Sequence, residues 1–252
     1  VTNQAKLSED LEIWSSQEFN YVDLAGGYTR SSVLMPQKRN PYSLSIVRGA
    51  SGVMIGRLSG FLAVVKSPSA RSDNFIFAYG EIPRALDFTR KISALTTAVV
   101  GTLEVNAERM WSELDKGFSQ ATDLAEFVML SAGIDYRSAY LIVGAAVRAA
   151  SSAGVRGRDI TAEMLRTAAM EVCEVDLQID EAGLAEALDP TKIVATRTAE
   201  GGAAPSEVAK MVERFTAEAD ALTAKANAAL KQFDDAERAV IDQAKALLAA
   251  GS

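Results

Sequence analysis

Histidine is missing from all 252 residues. Its absence removes Ser-His-Asp triads, histidine-based zinc sites and imidazole acid–base work from within this chain. Cysteine is nearly missing as well. The single Cys173 has no mate for an internal disulfide, which suits a reducing, cytoplasmic compartment. Cations are outnumbered, with Lys+Arg at 26 against Asp+Glu at 33 and a net charge of −7. That balance argues against a nucleic-acid partner, whose phosphates demand a surplus of cations. Nowhere do about 18 uncharged apolar residues run together, so neither a membrane-spanning helix nor a membrane partner is expected. No Met and no basic-then-apolar leader precede Val1. Leu7, Leu11, Ile13 and Trp14 already follow a helical spacing, and the expectation is a C-terminal piece of a longer subunit. With 48% hydrophobic and 23% charged residues, the chain has the composition of a folded protein.

What is present is overwhelmingly helical in period, and the expected fold class is all-α. A first helix is expected over 2–18 and an irregular segment over 19–39, around Gly26-Gly27. Asn40-Pro41 reads as a helix start, with Asn capping orphan amides and Pro at the first helical position. The helix it opens is apolar nearly all round through Val65, as suits burial between several neighbours. A loop over 67–80 and a helix over 82–104 follow. Shorter helices are expected over 121–132, 136–152, 161–173 and 181–188, with Gly133, Gly154 and Gly157 as stops. Gly201-Gly202 and Pro205 mark a last turn. Residues 206–249 form one very long helix in which Val208, Phe215, Leu222, Ala229 and Ala236 step by seven, with a second row at Ala219, Ala226, Phe233, Val240 and Leu247. The expected organisation is bundle helices over 1–105, a small helical domain over 106–204, and a long C-terminal helix over 205–252 packing on the bundle. Such long apolar helices cannot bury their faces alone, so a homo-oligomer is expected.

The segment TRSSVLMPQKRNP, residues 29–41, is the richest in chemistry. Ser31 and Ser32 stand six to seven residues before Lys38, and Asn40 follows at the expected helix start. A cation, an amide and helix-start N–H groups make an anion site, and a serine placed among them has its oxyanion stabilised. Read from residue types alone, a polar loop before a capped helix accounts for the segment as well.

SSVLMPQKRNP resembles the signature loop of the aspartase/fumarase superfamily, usually written GSSxMPxKxNP. The flanking EDLEIWSSQEFNYVDL and SLSIVRGASGVMIGRLSG are similar to the argininosuccinate lyase branch, as are KGFSQATDLAEFVMLSAGIDYRSAYLIVGAAV and VATRTAEGGAAP. The resemblance implies a long-helix bundle forming the central core of a homotetramer, with active sites shared among subunits and no metal or organic cofactor. It implies a C–N lyase that releases fumarate from an N-substituted aspartate, a small dicarboxylate substrate. It also implies a first half of the subunit, with a catalytic histidine, ahead of this stretch; a second chain carrying that half is the leading expectation, with cleavage or truncation as the alternatives. By the same resemblance Ser32 is the catalytic base, Lys38 stabilises the aci-carboxylate, and Asn40 and Ser31 belong to the substrate-binding loop.

Departures from the family pattern narrow the reading. Ser31 replaces its Gly and Val33 its second Ser. Ser45 stands where the family has the Glu that pairs with the catalytic histidine, and Tyr140 stands where it has another His, with a structural role here. Arg71, Asp73 and Ile76 stand where the argininosuccinate branch has Tyr, Lys and Gln, so the substrate is not expected to be argininosuccinate itself. Arg71 reads equally as a solvated cation and as a clamp for a different substrate arm. Ser45 keeps a second reading open, that of an inactive structural or regulatory homologue. Cys173 reads as a packed small side chain, Trp14 and Trp111 as core residues, and Asp234-Asp235 as a solvated helix face.

Overall fold

Helical spacing carries through into the architecture, and the fold is all-α. The computed structural model describes residues 1–66, 73–114 and 116–250. They form two compact units that divide after Leu114.

In the first unit, α1 (Thr2–Trp14) is shorter than its spacing predicts. Ser15 ends it, and the amide of Tyr21 returns to the Trp14 carbonyl at 2.9 Å. The chain then makes β1 (Val22–Asp23) and a tight hairpin of β2 (Arg30–Ser31) and β3 (Arg39–Asn40). α2 (Tyr42–Val65) follows, then the one-turn α3 (Ile76–Tyr79) and α4 (Glu81–Gly101). β4 (Glu104–Val105) pairs antiparallel with β1, and α5 (Ala107–Leu114) closes the unit.

Leu44, Val47 and Ala50 recur every third residue along α2, so one stripe faces inward. Leu44 packs with Leu11 of α1, Val22 and Leu24 near β1, and Val99 of α4. Val47 and Ala50 pack with Ile92 of α4. Burial stops there. Val53, Ile55, Leu58 and Leu62 are about half exposed, so among the described residues α2 is not enclosed by several neighbours. The physical reason is coverage: among the described residues α1 and α4 supply most of the packing on α2, and α3 and residues 73–75 add a smaller contact, with Asn74 Nδ2 donating to the Val64 carbonyl at 2.6 Å. Met54, Leu58 and Phe61 of α2 with Ile82 and Leu86 of α4 line an open apolar groove of about 320 Å³.

The second unit contains α6 (Ala121–Ala132), α7 (Tyr136–Ser152), α8 (Ala162–Cys173), α9 (Glu181–Leu188), α10 (Pro190–Ala195) and α11 (Pro205–Ala250). Ala139, Ile142, Val143, Ala146 and Ala150 form the inner stripe of α7 and meet Leu124 and Val128 of α6 and Leu165 and Ala169 of α8. The small alanines let these helices approach closely. Asp135, Thr161, Asp180 and Asp189 each accept amide hydrogen bonds at a helix start, which fixes where α7 to α10 begin. Gly133 ends α6 in the left-handed conformation (φ 65°). Gly157 is not a stop but a buried packing position: a Cβ there would lie 2.8 Å from the Gly117 carbonyl oxygen. No helix among the described residues is long and apolar enough to cross a membrane.

Candidate active-site loop

The chemistry-bearing loop is a β-hairpin. Pairing of Arg30 with Asn40 and of Ser31 with Arg39 sets the register. Ser32 and Lys38 therefore face each other across the neck, where the Ser32 amide donates to the Lys38 carbonyl at 3.3 Å. The Lys38 amide donates to the Met35 carbonyl at 3.0 Å and closes the turn. The hairpin tip projects into solvent, with Val33 98% and Leu34 90% exposed.

Within this turn the Ser32 Oγ accepts two backbone N–H groups, from Leu34 at 3.2 Å and Met35 at 3.1 Å. Both donors stabilise negative charge on that oxygen, so the turn favours the alkoxide that a serine base requires. Lys38 is exposed and directly precedes β3 on the opposite side of the neck. Asn40 departs from the expected cap. Its Nδ2 donates to the Arg30 carbonyl at 3.1 Å, and Pro41 takes the position before α2 with no side-chain cap. The reason is pairing: Asn40 is spent on the hairpin, and the first α2 amides, Leu44 and Ser45, turn to the Pro41 carbonyl.

Two contacts moor the hairpin to the body of the unit. Arg39 binds the Asp23 carboxylate at 2.8 Å and also donates to the Leu24 carbonyl. The Arg30 guanidinium lies over the Tyr42 ring, 5.4 Å from its centroid. The structure thus gathers Ser31, Ser32, Lys38 and Asn40 on one element, while Arg71 lies outside the described residues.

A second polar cluster joins α1 to α2 and was not legible in the sequence. Ser45 Oγ donates to Glu12 Oε1 at 2.8 Å. Arg48 binds Glu12 Oε2 at 2.5 Å and Glu9 Oε1 at 3.4 Å. The hydrogen bond to Glu12 and the charge of that carboxylate hold the Arg48 guanidinium protonated beyond its ordinary range. The available signal was a Glu directly after the buried Leu11, on a helix otherwise spaced for packing. Among the described residues no His, Cys, Asp and Glu group is arranged to hold a metal ion.

Residues 118–195, the stretch from the start of the second unit through α10, match the family of argininosuccinate lyase C-terminal domains. An argininosuccinate lyase from Methanosarcina acetivorans is 31% identical over 215 residues, covering 85% of this chain and 43% of the relative. Argininosuccinate lyase 2 from Rhizobium meliloti is 32% identical over 212 residues, covering 84% of this chain and 42% of the relative. Among solved structures, EDDS lyase in complex with formate superposes with a TM-score of 0.77 at 28% identity, over 86% of this chain and 43% of that one. The chain belongs to the aspartase/fumarase superfamily, in its argininosuccinate lyase-like branch. It spans less than half the length of the relatives it matches.

Proposed function

We propose that the chain contributes Ser32, Lys38 and Asn40 to a composite active site that cleaves the C–N bond of an N-substituted aspartate. The Ser32 alkoxide takes a proton from the carbon beside a carboxylate. The electron pair left behind moves first into that carboxylate, giving a doubly charged aci form. It then forms the carbon–carbon double bond of fumarate as the C–N bond breaks, and the amine leaves with a proton from an acid. Charge builds on the carboxylate in the transition state, which is where a lysine and an amide contribute most. The single observation that carries this reading is the pair of amide N–H groups on Ser32 Oγ, with Lys38 across the hairpin neck, where its carbonyl accepts from the Ser32 amide.

None of these 252 residues is a histidine that could act as acid, so in this reading the first half of such a subunit supplies it. The exposed apolar halves of α2 and α4 suit a tetramer of these units, where long helices cover one another. Glu12 brings a carboxylate onto Ser45, the position where the family carries a Glu, and is placed to orient an incoming imidazole. The relatives named argininosuccinate lyase and the EDDS lyase variant with bound fumarate support an elimination that gives fumarate. Arg71, Asp73 and Ile76 argue for an amine arm other than that of argininosuccinate.

The test is co-expression with the first-half polypeptide, followed by the ultraviolet absorbance of fumarate on presenting N-substituted aspartates. Fumarate release only when both chains are present is expected. Ser45 favours a second reading, a homologue that keeps the bundle without the reaction, and absence of release from every such substrate would establish it.

A further inference from the structure

α11 is a 46-residue helix on which no residue is buried. At a 1.5 Å rise it extends about 70 Å. Val212, Ala219, Ala226, Phe233 and Val240 occupy one position of a heptad, and Val208, Phe215, Leu222, Ala229 and Ala236 the other core position. Phe215 is 53% and Phe233 68% exposed. Charged residues are nearly confined to the outer heptad positions. Beside the seam stand Glu218 and Lys225 on one flank and Glu237 on the other. A strict seven-residue period selects a helix as the occupant, because only a supercoiled helix follows such a seam.

We propose that α11 pairs antiparallel with α11 of a second copy of this chain, in the register that sets Glu218 against the partner's Lys225 and Lys225 against the partner's Glu218. The charges choose this register. Shifted one heptad in one direction, Glu218 meets the partner's Glu218; shifted in the other, Lys225 meets the partner's Lys225. A parallel pair in register places Glu218 beside the partner's Thr223 and Lys225 beside the partner's Leu230, with no ion pair. The core agrees with the charges. In the chosen register Val212 meets the partner's Ala229, Ala219 the partner's Leu222, and Ala226 the partner's Phe215, so these layers set large against small. Phe233 meets the partner's Val208 at either end. Within the chain Glu218 has only a loose contact with Arg214 at 3.9 Å, and Arg214 is engaged more closely by Glu200 at 3.0 Å. The large side chains of the two seams cover on the order of 1,000 Å², the lower bound for a specific interface. This pairing stands apart from the lyase reading and does not depend on it.

The test is sedimentation equilibrium of the full chain at low salt, comparing the parent with Glu218→Lys and Lys225→Glu. Both positions lie on an exposed helix surface, and circular dichroism verifies that helix content is kept. Each single variant opposes like charges at both ends of the pair, and self-association is expected to weaken about tenfold. An equimolar mixture of the two variants restores it, because each chain then meets its opposite. Variants that associate like the parent, a mixture that shows no preference for mixed pairs, or a parent that stays monomeric at every concentration would each overturn the proposal. Assembly through the α2–α4 face alone gives the first of these results, and occupation of α11 by an unrelated polypeptide gives the last.

Discussion

Replacing Arg39 by Ala tests whether the hairpin that carries Ser32 and Lys38 is moored as a unit separate from the core. Arg39 ties the hairpin to Asp23 and to the Leu24 carbonyl. Its ion pair is about half exposed on both sides, with side chains 48% and 55% accessible, so the pair contributes roughly 0.2–1 kcal/mol. The bond to the Leu24 carbonyl contributes about 1 kcal/mol more. The second contact reaches the backbone of Leu24, a member of the buried cluster of Leu11, Val22, Leu24, Leu44 and Val99, but neither contact takes a side chain out of that cluster. Arg39→Ala is therefore expected to lower global stability by no more than about 2 kcal/mol. Nearly all of that loss falls on the hairpin. Hydrogen exchange reads the difference directly. The Ser32 and Lys38 amides close the hairpin neck and turn, and their exchange is expected to accelerate by about tenfold or more. Amides in the middle of α2 and α4 are expected to keep their rates. If the hairpin amides are unaffected, or all of the first unit loosens together, the mooring assigned to Arg39 is wrong.

Other consequences follow from the same contacts. If the chain forms the lyase proposed above, Glu12→Gln is expected to lower turnover of the assembled chains by about tenfold and to displace the pH–rate profile, with little change in the thermal melt. Adding Ser45→Glu to that variant is expected to return activity, and a double variant as slow as the single one argues against the role given to Glu12. Asp135, which caps α7, has its carboxyl held below the ordinary aspartate range by the Ser138 hydroxyl first and the Ser138 amide next. A lowered folded-state pKa stabilises the folded chain fully above the unfolded value, about 3.9. That contribution is lost as pH falls through the lower folded value. Thermal melts between pH 3 and 6 are expected to show a drop at the acid end that is smaller in Asp135→Ala; an equal drop in both would remove the cap from the account.

Local signals were legible and distant ones were not. The limits of α6, α7 and α9 coincide with their readings because Asp135, Asp180 and Gly133 mark ends within a turn of the residues they stop. The long reach of α11 follows from an unbroken heptad. The hairpin escaped notice because its register depends on Arg30 meeting Asn40 ten residues later. Asn40 beside Pro41 therefore looked like a cap when its amide serves the hairpin. β1 and β4 are two residues each and pair across most of the first unit, too short to show an alternation. α5 and α10 are only 8 and 6 residues long, too short to show a reliable helical period. Glu12 and Ser45 meet because α1 packs on α2, a contact no spacing within either helix announces. Ser32, Lys38 and Asn40 stood out in the sequence because their types and separations resemble the family's signature loop.

The central claim is that Ser32 is the base of an elimination. Its most direct test is the steady-state rate of fumarate release by the assembled chains carrying Ser32→Ala. A base positioned in this way is worth about 10²–10⁴ in rate, so the account predicts a fall in kcat of that size with KM little changed. A variant that releases fumarate at the parent rate contradicts it.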